Sequence, residues 1–319
     1  MKLLLGLLLS TACGFAAVDG TIVNGTTGKP QPSVLIMLLQ PSQSGMQTLA
    51  TVKSDAEGKF KIDKDYPPGP ALVQAIYGGV VYTQMIPPGS PTSNLSVKVF
   101  DSTKNPEAGT AAQHMILLEP SASGIQVSET FLFDNKAQIT YSDPAKGSAE
   151  FYVPKAAEGK IQLTVNPPGG MPLSRPAEKT KKPDVYKVDY PVQPGQTRFD
   201  IAYVLPASDT FEGKNLGAAE NMYLVTPPSV TLTGDGIDNL GQEPQTHANT
   251  YRVRTASFKV QITGEGSLRE PSSQSDEDTG QPQIAQAPAR VYTKLPWVLG
   301  LTLAILGLGG AMLYRKGTV

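Results

Sequence analysis

The chain has 319 residues, 31 of them Gly and 28 Pro, with 17% charged residues, so it is long enough for two ordinary domains and rich in turn formers that interrupt many short Val, Ile, Thr, Tyr and Phe runs. A formal net charge of -1 and one short basic cluster (Lys179, Lys181, Lys182) exclude the concentrated positive field that a nucleic-acid partner requires. The single cysteine, Cys13, lies in the N-terminal apolar segment, so an exported chain would hold no intramolecular disulfide and would rely on its cores, a pattern expected of a bacterial protein.

Residues 1–17 combine Lys2, an apolar stretch from Leu3 to Leu9, and small residues at Gly14 and Ala16, the pattern of a cleaved signal peptide. Lipidation at Cys13 is the alternative, but Ser10 stands where a bacterial lipobox has Leu.

Residues 18–100 hold seven expected strands: Val18–Val23, Ser33–Leu39, Met46–Ser54, Lys59–Ile62, Ala71–Ile76, Val80–Ile86 and Leu95–Phe100. Asn24-Gly25 and Thr27-Gly28 offer the positive φ of a tight turn, and Pro30 and Pro32 fit a strand margin. Val34–Leu39 has almost no polar alternation and is expected to be a central strand buried on both faces. Asp55-Ala56-Glu57-Gly58 forms the next turn, and Phe60 points inward. Leu95, Val97 and Val99 alternate with polar neighbours and close the sandwich.

The order of strand, Gly-rich turn, buried strand and Asp-x-x-Gly-x-Phe turn, carried by Gly20, Val23, Gly28, Pro30, Asp55, Gly58, Phe60 and Leu72, resembles the carboxypeptidase regulatory-like domain. The resemblance implies a prealbumin-like β-sandwich that serves as an accessory module. It brings no peptidase activity with it, because the peptidase domain is not part of this pattern.

A polar link, Asp101–Thr110, leads into a second series of strand signals: His114–Leu118, Ile125–Phe133, Ala137–Tyr141, Glu150–Val153, Ile161–Val165, Val185–Tyr190 and Arg198–Val204. Their longest break, Asn166–Pro183, is proline-rich and expected to be mobile. Residues 101–265 therefore read as a second β-sandwich (Ig-like or prealbumin-like). Signals thin from about residue 206, which is either strands added to that sandwich or a small third unit.

Residues 266–293 are rich in Ser, Gln, Pro, Asp and Glu and read as a disordered tether. Within the span read as residues 294–314, Leu295–Tyr314 is an uncharged run of about 20 residues, the length of a transmembrane helix, bracketed by Trp297 and Tyr314 and followed by Arg315 and Lys316. Residues 315–319 would form a short cytoplasmic tail. Leu295-Pro296 lacks the Thr-Gly of a sortase site, so a permanent single-pass anchor is expected, with the bulk of the chain on the exported side of a bacterial cell membrane.

Catalytic patterns are sparse. His114 and His247 have no His-Glu-x-x-His partner, no Gly-x-Ser-x-Gly elbow occurs, and Gly25–Pro30 is too short for a phosphate loop. Asp235, Asp238 and Asn239 gather oxygen side chains that suit a calcium site if other loops donate ligands, and a plain turn explains them equally well. Asn24 and Asn94 head glycosylation acceptors that matter only in a eukaryotic host. Tyr77 and Tyr82, bracketing Gly78-Gly79, are the candidate ligand-binding residues, with rings able to stack on a sugar or peptide; core or edge packing is the competing explanation. The expectation is a non-enzymatic, cofactor-free binding or assembly module whose partner is an envelope protein or glycan. A structural spacer and an accessory subunit of a glycan- or peptide-processing enzyme are the alternatives.

Overall fold

The computed structural model describes residues 17–43, 45–64, 69–217 and 221–268, which belong to one compact unit. The expected signal peptide apart from Ala17, most of the expected tether and the expected transmembrane segment lie outside these residues. Among the described residues no helix is long and apolar enough to cross a membrane.

The described chain is all-β apart from two 3-10 turns. Its first nine strands are β1 (Val18–Asn24), β2 (Lys29–Pro30), β3 (Leu35–Ser42), β4 (Gly45–Lys53), β5 (Lys59–Ile62), β6 (Ala71–Tyr77), β7 (Val80–Ile86), β8 (Leu95–Val99) and β9 (Ser102–Thr103). There follow β10 (Ala111–Ser121), β11 (Gly124–Asn135), β12 (Thr140–Tyr141), β13 (Ala149–Tyr152), β14 (Gln162–Asn166), β15 (Leu173–Arg175), β16 (Glu178–Lys179), β17 (Val185–Val188) and β18 (Gly195–Leu205). The last are β19 (Thr210–Lys214), β20 (Met222–Thr226), β21 (Thr231–Thr233), β22 (Ile237–Gln242), β23 (Asn249–Val253) and β24 (Ser257–Thr263).

In the N-terminal sandwich, β1 carries β2 and β5 along one edge and the parallel β8 along the other, and this sheet faces a second of order β4-β3-β6-β7. Between them lies a core of Val18, Ile22, Ile36, Leu38, Phe60, Val73, Val97 and their neighbours. Each fully buried aliphatic or aromatic side chain contributes about 1.5–3 kcal/mol. The Asp55 turn forms as its residues dictate: the carboxylate accepts the amides of Glu57 (3.0 Å) and Lys59 (2.7 Å), and Gly58 takes φ +72. Gly25 is required for a different reason than positive φ, since a Cβ there would lie 2.2 Å from the Phe100 ring.

The expectation of a strand buried on both faces needs correction at β3. Ile36 and Leu38 enter the core, whereas Leu35 and Met37 point to the opposite face and stay half-exposed. That outer face continues onto β6 and β7. The register aligns Leu35, Ile76 and Val81 in one row, Met37, Gln74 and Thr83 in the next, and Leu39, Leu72 and Met85 in a third.

The second sandwich is built on an eight-stranded sheet, β15-β14-β18-β11-β10-β20-β23-β22. Two three-stranded sheets, β13-β17-β16 and β19-β24-β21, supply the facing layer. One continuous core runs from Ala111 to Ile262, so residues 206–262 add strands to this sandwich and form no third unit. The physical cause is the parallel pairing of β20 with β10, which carries the late strands into the existing sheet. The break at Asn166–Pro183 is also more ordered than its prolines suggest: β15 extends the large sheet and β16 extends a small one. Both are edge strands, and neither contains a proline.

The edge strands β13 and β19 approach one another in the facing layer. Lys214 Nζ sits 4.6 Å from the centroid of the Tyr152 ring across this seam.

Folded chain extends past the expected boundary at residue 266. Gly266 N donates to Pro120 O at 3.0 Å, and Leu268 N donates to the buried Glu119 carboxylate at 2.8 Å, joined there by the Ser267 hydroxyl.

Candidate functional site

The two tyrosines singled out by the sequence meet at the joint between the sandwiches. Tyr82 is 4% exposed, and its ring packs against Phe100 at 5.9 Å. Its hydroxyl donates to Phe100 O at 2.8 Å and lies 2.9 Å from Thr140 Oγ1. With the one phenol proton committed to the carbonyl, the Thr140 hydroxyl is the donor in the second bond. Burial pushes the Tyr82 phenol above its ordinary pKa, with its two hydrogen bonds opposing the shift. A ring held this way is core, so Tyr82 presents no stacking platform to a ligand; its place on the inward side of β7 decides this.

Tyr77 is half-buried and donates to Asp101 Oδ1 at 2.9 Å. Burial first, then the Asp101 hydrogen bond and charge, raise its pKa. Asn24, 2% exposed, completes the cluster: its amide donates to Asp101 Oδ1 at 2.8 Å and to Gln31 at 3.0 Å, while its carbonyl oxygen accepts Thr26 N at 2.9 Å. Burial and these bonds remove Asn24 as a glycosylation acceptor, whereas Asn94 is exposed.

Other bonds cross the joint. Thr26 Oγ1 donates to Gln138 O at 2.6 Å, Gln193 Nε2 donates to Val81 O at 2.9 Å, and β9 pairs in parallel with β12. The segment expected to be a polar link is thus a hydrogen-bonded lock. No spacing in the sequence marks Thr140 or Gln193 as members of it.

A second polar cluster lies inside the large sheet. His114 Nε2 and Glu129 Oε1 are 2.6 Å apart, with side chains 3% and 2% exposed, and the imidazole stacks on Phe131 at 4.0 Å. Tyr203 lies on the same inner face of β18, and burial, followed by the nearby Glu129, holds its phenol well above the ordinary pKa. Glu129 occupies a position that the alternation of Ile125, Val127, Phe131 and Phe133 assigns to the core, so the sequence did carry its signal. The cluster is buried within the sheet, where His114 Nδ1, Glu129 Oε2 and the Tyr203 hydroxyl have no hydrogen-bond partner among the described residues.

The acidic turn does not converge. Asp238 pairs with Arg254 Nε at 3.0 Å, Asn239 Oδ1 accepts Gly241 N at 2.7 Å, and Asp235 points outward at an exposed position. Among the described residues no group of three or more His, Cys, Asp or Glu side chains has a metal-holding arrangement. His247 is an exposed turn residue whose amide donates to Glu243 O at 2.8 Å.

What fold and site define together is an all-β protein of multiple packed sheets. No family model matches the chain, and no curated protein matches it. Among solved structures, an M1 zinc metallopeptidase from Deinococcus radiodurans aligns over 48% of this chain and 42% of its own, at 8% identity and a TM-score of 0.24. The chain thus spans less than half the length of that peptidase. A double mutant of shaft pilin SpaA from Lactobacillus rhamnosus GG aligns over 76% of this chain and 94% of its own, at 11% identity and a TM-score of 0.22.

Proposed function

We propose that this chain is a non-catalytic module that presents a rigid pair of β-sandwiches on the exported side of a bacterial membrane, anchored by the single span Leu295–Tyr314. The N-terminal sandwich, on this reading, is a carboxypeptidase regulatory-like domain. The observation that carries the proposal is the lock at Tyr82, Thr140, Asp101 and Asn24, which fixes two sandwiches as one body. A rigid body suits holding a surface at a set place.

The reading is tested with the full chain in membranes of its host, probed with envelope extract and an array of envelope glycans. Saturable capture of one protein or glycan, without turnover, is expected. Hydrolysis of peptides or glycans in a substrate screen without saturable capture overturns it. Retained function after residues 17–268 are exchanged for an unrelated sandwich pair identifies a spacer instead.

A further inference from the structure

The inner face of the eight-stranded sheet carries a polar group among its apolar rows. Glu129 of β11 stands in the row of Ile116 and Ile201, with His114 of β10 beside Phe131 in the row to one side and Tyr203 of β18 beside Val127 in the row to the other. All three side chains are buried. Among the described residues, four buried side-chain atoms lack a hydrogen-bond partner, and three of them belong to this group: His114 Nδ1, Glu129 Oε2 and the Tyr203 hydroxyl. Orphaned buried polar atoms are rare in folded proteins, and several on adjoining strands call for a common cause.

We infer that Glu129 Oε2 and the Tyr203 hydroxyl share a buried water molecule, held as a fixed part of the second sandwich. The two groups are neighbours without being bonded. Glu129 is near enough to act on the Tyr203 phenol, yet no hydrogen bond joins them. A polar pair that interacts across more than hydrogen-bond length is where a bridging water sits.

The donor and acceptor inventory selects water over other occupants. Whichever partner holds the proton of the 2.6 Å bond between His114 Nε2 and Glu129 Oε1, Glu129 Oε2 is left as an acceptor. The Tyr203 hydroxyl donates one proton and can accept another. Water donates to the first group and accepts from the second. A metal ion would satisfy Oε2 but cannot accept the phenol proton, and an apolar guest satisfies neither. The covering layer is also interrupted nearby. Tyr152 acts on Tyr203 as well, which places the pair close to the seam where the edge strands β13 and β19 meet. That seam gives a water molecule a way in that a hydrogen-bonded ladder would close.

The inference does not depend on the binding role proposed above. Its test is magnetic relaxation dispersion of the water oxygen nucleus on the full chain in detergent, which counts long-lived waters held inside a protein. The native chain should show at least one, and Tyr203→Phe, which keeps the ring, should show about one fewer. Chemical denaturation of the same variant should show the folded-to-unfolded ratio falling about tenfold, because the water and Glu129 Oε2 lose a partner. The inference is overturned if the native chain holds no long-lived water. It is equally overturned if Tyr203→Phe keeps the native count, or if it raises the folded-to-unfolded ratio, the outcome for a hydroxyl with no bond to lose. Should Tyr203→Phe fail to fold, the double variant His114→Leu, Glu129→Leu removes the acceptor together with its partner and must lose the same water; an unchanged count there also overturns the inference.

Discussion

The Tyr82 hydroxyl accepts a hydrogen bond from Thr140 Oγ1 across 2.9 Å, and through it β7 of the first sandwich is fastened to β12 of the second. The residues are 58 positions apart in the chain and both are buried. A flexible link would make no fixed bonds to either sandwich; here Asp101 accepts from Tyr77 and Asn24, and β9 pairs with β12.

Removing that hydroxyl should loosen the joint. Tyr82→Phe keeps the ring against Phe100 but leaves the Thr140 hydroxyl, 0% exposed, without its acceptor. A loss of about 1–3 kcal/mol is expected in denaturant unfolding. Small-angle scattering of the variant should show a broader distribution of interdomain distances than the native chain; an unchanged profile would mean that the other bonds hold the joint alone.

The His114–Glu129 pair makes an asymmetric prediction. His114→Leu leaves the buried Glu129 side chain without its hydrogen-bond partner and should cost about 1–3 kcal/mol, because a desolvated polar group is then left unsatisfied. Replacing both residues by Leu removes the penalty and should recover most of the loss. A double-mutant cycle by chemical denaturation measures the coupling, and additive losses would show that the pair does not act as a unit.

Alkaline pH should unfold the protein through its tyrosines. Burial raises the pKa of Tyr82, Tyr190 and Tyr203 above the ordinary value near 10, so the folded state holds these protons more tightly than the unfolded chain does. Their contribution is complete below the unfolded pKa and is lost as pH rises from about 10 through the folded values. Tyrosinate absorbance and circular dichroism, followed together, should change in one cooperative step. Tyrosinate appearing from these residues below about pH 10 while the fold persists would contradict the direction of the shifts.

The C-terminal strap should matter for stability. A chain ending after Thr263 loses the bonds of Gly266 to Pro120 and of Ser267 and Leu268 to Glu119, whereas one ending after Glu270 keeps them. The shorter chain should melt lower, by about 2–4 °C for each kcal/mol lost. Glu119→Ala in the longer chain should reproduce most of that drop, and equal melting of all three would remove the strap from the folded unit.

Much of the architecture was legible in the sequence. Short β-rich runs divided by Gly, Pro and Asp turns define the strands, because period-two alternation and turn chemistry are local. Asp55 and Gly58 make the turn that their spacing implies, and the alternation in β11 places Glu129 on the inner face. The resemblance at Gly20–Phe60 anticipated a sandwich, and two packed sheets enclose Phe60.

What the tertiary structure decided is where each face and polar group ends up, since that depends on residues far apart in the chain. Tyr77 and Tyr82 read as a ligand-binding tip because a turn flanked by aromatics looks the same whether solvent or a second domain lies beyond it; Thr140 and Asp101 settle which. Residues 206–262 read as thin because their core is supplied by β10 and β11, which no local window includes. The apolar run Val34–Leu39 fixed a central strand, and only the assembled sheet shows that one side packs into the core while the other is left facing outward.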